Sequence, residues 1–157
     1  RPGETATALV QRLAAAKAGV LRHQFLQHLI IGSDQIAVLD GNIIGKPGNR
    51  ETAIRQLQAV SGRSLTFYTG LCLLNSASNT LQVDCIPFTV HFRQLTQQQI
   101  ESYVDREKPF DCAGSFKSEG LGICLFESTE GSDATSLVGL PLIRLRQMLE
   151  QAEVKVL

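Results

Sequence analysis

The residues best placed to do chemistry lie in residues 29–47, which read LIIGSDQIAVLDGNIIGKP. Asp34 and Gln35 follow an apolar run broken by Gly32 and Ser33, and Lys46 follows two further apolar runs that meet at Asp40-Gly41. Asp-Gly between β-rich runs is a strong hairpin signal. With Asp40 and Gly41 as the turn, Leu39 faces Asn42, Val38 faces Ile43 and Gln35 faces Lys46. Lys46 is then expected near Asp34. A carboxylate and an ammonium at one end of a β-ribbon can polarise a water and hold an anion. An ordinary solvated ion pair satisfies the same spacing.

A second polar concentration, residues 110–122 (FDCAGSFKSEGLG), sets Asp111, Lys117 and Glu119 among three glycines. Glycine permits close backbone approach to a ligand and leaves N–H groups to hold an anion. The aromatics Phe110 and Phe116 argue that this segment is packed rather than a solvated loop. Lys17 falls on the apolar stripe of the first helix, where a lysine either snorkels to water or points into a site and meets phosphate. Arg63 and Ser64 open a strand, either as ordinary strand-start residues or as cationic and hydroxyl contacts.

The elements that must position these groups read in order. A helix over 4–21 carries Leu9, Leu13, Val20 and Leu21 on one stripe. After the hairpin, Asn49 caps a helix over 50–60 with Ala53, Ile54, Leu57 and Val60 on its inner face. Residues 63–74 and 81–92 are β-rich and joined by a polar loop, so they are expected as antiparallel neighbours, with Pro87 marking an edge or a bulge. Thr96 and Gln99 form a capping box for a helix that Pro109 ends. Residues 123–126 read as a short buried strand and 127–133 as a polar loop. Pro141 opens a C-terminal helix with Leu142, Leu145, Met148 and Leu149 on its apolar face. The pattern predicts one α/β domain over residues 1–157, a twisted mixed sheet flanked by helices.

Composition bounds what this domain does. Apolar content of 43% excludes a disordered chain. Fifteen basic residues against fifteen acidic ones create no global field for nucleic acid or an anionic membrane. No apolar run approaches the ~18 residues of a membrane span. Cys72, Cys85, Cys112 and Cys124 form no CxxC pair, which points to buried free thiols in a reducing compartment.

GSDQ at 32–35, GKP at 45–47, SGRSLTFYTG at 61–70, FDCAGSFKSEGLG at 110–122 and SLVGLP at 136–141 together resemble the Maf family of nucleoside triphosphate pyrophosphatases. The resemblance covers essentially the whole chain. Residues 110–122 are similar to the bacterial subfamily that hydrolyses 7-methyl-GTP. The dTTP/UTP subfamily usually reads closer to YxxKAGAYGIQG there, and Glu119 stands in place of that glutamine. The resemblance implies a Maf/ITPase-like fold and a cytoplasmic homodimer. Its reaction cleaves a nucleoside triphosphate between the α and β phosphates with a divalent cation, Mg²⁺ or Mn²⁺.

It further implies that Asp34 accepts the proton of the attacking water and contributes to the metal site, and that Lys46 and Lys117 engage the phosphates. Lys17 is then a further phosphate-site lysine. Gln35 and Glu119 match positions tied to base specificity, and Ser33 and Arg63 complete the substrate-binding set. A dTTP/UTP or broad specificity remains open, as does a catalytically silent nucleotide-binding module linked to septum control. The family opens with a strand and a Ser- and Arg-containing phosphate-binding turn. The sequence begins at Arg1-Pro2-Gly3 without them, so further N-terminal sequence is expected.

Overall fold

The computed structural model describes residues 3–157. Arg1 and Pro2, where the chain begins without a methionine, lie outside the described residues. The helices start where side chains can satisfy their free N–H groups. α1 (Ala6–Val20) opens on Thr5, which accepts from Ala8 N–H, and α2 (Arg50–Val60) on Asn49, which accepts from Thr52 N–H. α3 (Gln97–Glu107) opens on the predicted capping box of Thr96 and Gln99. Each such cap contributes about 1 kcal/mol.

β1 (Leu29–Leu39) turns through Asp40-Gly41 into β2 (Asn42–Ile44), with Leu39 paired to Asn42, Val38 to Ile43 and Ala37 to Ile44. The turn residues have φ of 50° and 79°, the two positive values a type I′ turn requires. The ladder stops at Ile44. Lys46 therefore leaves the ribbon instead of completing the expected pair with Gln35.

β3 (Ser64–Asn75), β4 (Thr80–Phe92) and β5 (Phe126–Gly131) complete a five-stranded antiparallel sheet in the order β2-β1-β3-β4-β5. With α4 (Leu142–Gln151) as the last helix, the fold is of the mixed α/β class. Pro87 lies just past the β4–β5 ladder, which begins at Phe88, so its missing N–H removes no bond from that ladder. β5 corrects the sequence reading. Residues 121–125 coil into a 3-10 turn that leaves Ile123 63% exposed, and the strand is the polar stretch FESTEG. An outermost strand has one edge in water and tolerates such residues. The same turn exposes Cys124. Cys72 is the buried thiol, Cys85 and Cys112 are half-buried, and all four are free. Among the described residues no helix is long and apolar enough to cross a membrane.

By compactness the chain divides into two units. The first takes the chain up to Gln35, Tyr68–Pro87 and Ser132–Leu157. Side chains alternate across its strands. Cys72 and Leu74 cluster with Ile30, Ala14 and Ala18, while Leu71 and Leu73 cluster with Ile86, Leu145 and Met148. α1 thus covers one face of β3 and α4 the other, which explains an apolar run without alternation. The buried residues of α1 are Val10, Ala14 and Ala18, and Val20 and Leu21 of the predicted stripe are exposed. Closeness is the cause. A β-carbon at Gly32 would sit 2.2 Å from the Ala14 carbonyl oxygen and 2.8 Å from Ala18 N, and one at Gly70 would sit 2.2 Å from the Val10 carbonyl oxygen.

The second unit takes Ile36–Phe67 and Phe88–Gly131. Here α2 packs on α3. Phe116 packs against Phe126 at 4.9 Å between centroids and against Phe67 at 5.8 Å, both tilted, and meets Phe92 edge-on at 6.1 Å. Such ring pairs contribute about 0.5–1.5 kcal/mol each beyond burial, so the 110–122 segment is packed as expected.

The close approach of α1 predicts that Gly32→Ala lowers the unfolding free energy by about 3 kcal/mol, because backbone rather than a flexible side chain must yield. Gly19→Ala, within α1 and with nothing inside 4 Å of the added carbon, is expected to stabilise by about 0.5 kcal/mol. Urea denaturation of both variants checks the pair.

Candidate functional site

The polar end of β1 is built from both sides of the strand. Asp34, its side chain 15% exposed, meets the Lys17 ammonium at 2.6 Å. Lys17 Nζ also donates to the Ser33 carbonyl at 3.1 Å. Lys17 lies between Ala14 and Ala18 on α1, so the close packing of those alanines brings it to Asp34. It remains 58% exposed, which leaves the ammonium open to an arriving anion.

Ser33 and Gln35 point to the opposite face, as strand alternation demands. Ser33 Oγ lies 2.6 Å from the Gly139 carbonyl and 3.0 Å from that of Gly70, so its hydrogen is engaged within the protein. Gln35 Nε2 donates to Thr69 Oγ1 at 2.9 Å and to the Ser136 carbonyl at 2.7 Å, and Thr69 Oγ1 donates to the same carbonyl at 2.9 Å. The Gln35 nitrogen is thereby fixed inward, and its oxygen is the end left to accept. The 3-10 turn Ala134–Val138 supplies the Ser136 carbonyl, and Gly139 follows it directly. Lys17, Ser33, Asp34 and Gln35 are therefore brought together in one unit. Sequence reasoning missed Thr69 and Ser136, both fully buried polar residues. Thr69, one of two threonines in β3 and the one at the edge of its apolar run, was the available signal.

In the second unit the GKP segment is tied to the 110–122 loop. The Gly45 carbonyl accepts from Gln56 Nε2 at 3.1 Å and from Gly114 N–H at 3.4 Å, and Gly48 N–H donates to the Phe110 carbonyl at 2.9 Å. Ser115, fully buried, donates to Gln56 Oε1 at 2.5 Å. Lys46 is exposed on this segment. Lys117 donates its N–H to the Tyr103 hydroxyl and its ammonium to the Glu107 carbonyl, both at 2.9 Å, the latter at the C-terminal end of α3, where a cation is favoured. Glu119 is exposed and accepts from Ser118 Oγ at 3.1 Å. Arg63 pairs with Asp40 and donates to the Ala59 carbonyl at 3.2 Å, and Ser64 meets His91 Nδ1 at 2.7 Å. A groove of about 300 Å³ beside α3, lined by Arg93, Ser102, Tyr103, Arg106, Leu121 and Cys124, contains none of the expected site residues.

The family model for Maf-like proteins matches residues 1–152. The chain belongs to the Maf family. Among curated relatives, a 7-methyl-GTP pyrophosphatase of Pseudomonas aeruginosa is 63% identical over 156 residues, covering 99% of this chain and 81% of that protein. One of Pseudomonas savastanoi pv. phaseolicola is 62% identical with the same coverage. One of Pseudomonas putida is 56% identical over 154 residues, 98% of this chain and 80% of the relative. In this Maf chain no group of three His, Cys, Asp or Glu suited to a metal ion occurs among the described residues.

Burial pushes the Tyr103 phenol above its ordinary value, with the Lys117 N–H bond opposing that rise. The folded state thus holds this proton more tightly than the unfolded chain does. Its contribution to stability is complete below the free phenol value of about 10 and is lost as pH rises beyond it. The unfolding free energy is expected to fall more steeply above that pH for the unsubstituted chain than for Tyr103→Phe. Parallel denaturation curves across the alkaline range test this.

Proposed function

We propose that this Maf-family chain hydrolyses 7-methyl-GTP to 7-methyl-GMP and diphosphate. One observation carries the reading: a carboxylate locked on β1 between Ser33 and Gln35 and facing a lysine, in a chain 63% identical to a 7-methyl-GTP pyrophosphatase. An incoming triphosphate competes with Asp34 for the exposed Lys17 ammonium and frees the carboxylate. Water then attacks the α phosphorus while Asp34 takes its proton. The bond from the α phosphorus to the α,β-bridging oxygen breaks, and diphosphate leaves with the bonding pair. Lys46 and Lys117 carry the phosphate-neutralising charges in this reading.

Asp34 also fits a Mg²⁺ or Mn²⁺ site. Such ions commonly take one or two protein carboxylates and complete their shell with substrate phosphates and water. A bound ion supplies charge neutralisation at the phosphate oxygens. The same reading, resting on the family resemblance, makes the enzyme a cytoplasmic homodimer. The balanced charge of the chain argues against a nucleic-acid partner.

Pyrophosphate release from 7-methyl-GTP, GTP, UTP and dTTP, with Mg²⁺ or Mn²⁺, tests the assignment. Turnover of 7-methyl-GTP is expected to be the fastest, and Asp34→Asn to lower it by about 10²–10⁴-fold, the range for loss of a general base. Preference for UTP or dTTP, or an Asp34→Asn variant at full rate, overturns it.

Specificity rests on Glu119. Its carboxylate can accept hydrogen bonds from the guanine N1–H and amino group, and its charge favours a cationic methylated purine. Glu119→Gln is expected to narrow the ratio of kcat/KM for 7-methyl-GTP over UTP. An unchanged ratio sinks this role.

A further inference from the structure

We infer that Asp133 is the positioning residue for Asp34, acting through the turn that clamps both of its neighbours. Asp133 is 3% exposed, and a buried carboxylate persists only where its oxygens are satisfied. Its Oδ1 accepts from Thr135 N–H at 3.0 Å and from the Thr135 hydroxyl at 2.5 Å, and its Oδ2 accepts from Ile143 N–H at 2.8 Å. Its backbone carbonyl accepts from the Ser136 hydroxyl at 2.6 Å and from Ser136 N–H at 3.1 Å. Thr135 Oγ1 accepts in turn from Leu142 N–H at 2.8 Å. One carboxylate thus joins the start of the turn to the first residues of α4, whose own cap residue, Pro141, makes no side-chain bond to the helix. Ile143 N–H is one of the N–H groups a helix start leaves unpaired.

What the turn holds is the catalytic strand. The Ser136 carbonyl receives Gln35 and Thr69, and the Gly139 carbonyl receives Ser33. Asp34 lies between the two clamped residues, so displacement of the turn rotates the strand end that aims its carboxylate. The chemistry of position 133 is specific. Three donors arrive at two oxygens, whereas an asparagine keeps one oxygen and sets an amide donor against a donor. For its rate consequence the inference rests on the proposed hydrolysis; its structural content does not.

The test compares Asp133→Asn with Asp84→Asn. Asp84 pairs with Arg144 of α4 at 2.6 Å, so its loss loosens the same helix without touching the turn. In ¹⁵N-labelled protein, Asp133→Asn is expected to move the Gln35 side-chain amide resonance and the backbone amides of residues 33–35, and Asp84→Asn to leave them in place. Well below the unfolding midpoint, kcat for 7-methyl-GTP falls by roughly 10- to 100-fold in Asp133→Asn, the scale of a catalytic group misplaced by about an ångström, with KM little changed. Asp84→Asn lowers the midpoint and keeps kcat. If Asp133→Asn does not fold, Thr135→Val, which removes the hydroxyl bridging Asp133 to Leu142, must give the same resonance shifts. Unmoved Gln35 signals, or a loss of midpoint with kcat intact, overturn the inference. If the unsubstituted chain turns over no nucleotide, the proposed hydrolysis fails and the Gln35 resonance alone decides the role of Asp133.

Discussion

The backbone of α1 lies so near β1 and β3 that a single β-carbon at Gly32 or Gly70 would meet the carbonyl oxygens of Ala14 and Val10. Much of the candidate site follows from that contact. A helix held this close favours small residues toward the sheet, and Val10, Ala14 and Ala18 form its inner face. The lysine one turn beyond Leu13 then lies beside the strand rather than above it. Lys17 reaches Asp34, two residues from Gly32 and on the same side of β1. A helix held farther from the sheet by leucines would leave that ammonium farther from the carboxylate.

The strand imposes the complementary division. With a period of two, Ile30, Gly32 and Asp34 face α1, while Leu29, Ser33 and Gln35 face the side of α4 and the 133–139 turn. The face toward α1 carries the charge, and the other face carries the hydrogen bonds that fix it. Burying Thr69 and Ser136 without partners would cost about 1–3 kcal/mol per group. Their mutual bonds and those to Gln35 remove that cost and tie two distant chain segments to β1. Rigidity at Asp34 thus comes from neutral hydrogen bonds on one face, and the ion pair lies on the other.

Legibility in the sequence follows the range of the interactions involved. The Asp40-Gly41 register, the Asn49 cap and the Thr96–Gln99 capping box depend on residues a few positions apart, and each is readable from residue types and spacing alone. The inner face of α1 is not, because large apolar residues mark a conventional stripe and close packing selects small ones. β5 is hidden for a similar reason: an outermost strand needs no apolar alternation, and FESTEG reads as a loop. Asp34, Gln35 and Lys17 are legible as chemistry-bearing types. The partners of β1 are not, since carbonyls such as those of Gly139 and Ser136 exist at every residue and these lie about a hundred positions away. Asp133 leaves only the trace of an Asx cap.

The energetic weight of the Lys17–Asp34 pair bears on how such a site can work. With the lysine more than half exposed, the pair contributes at most about 1 kcal/mol. A buried pair of the same geometry would resist separation, because parting it strands a desolvated charge. In the proposed hydrolysis, exchange of one carboxylate for phosphate oxygens costs little, and Asp34 keeps its orientation from Ser33 and Gln35 after its partner has turned away. The weakness of the contact therefore suits its use. The fixed parts of the candidate site are the buried neutral bonds, and the part that yields to the ligand in the proposed reaction is the salt bridge that water already reaches.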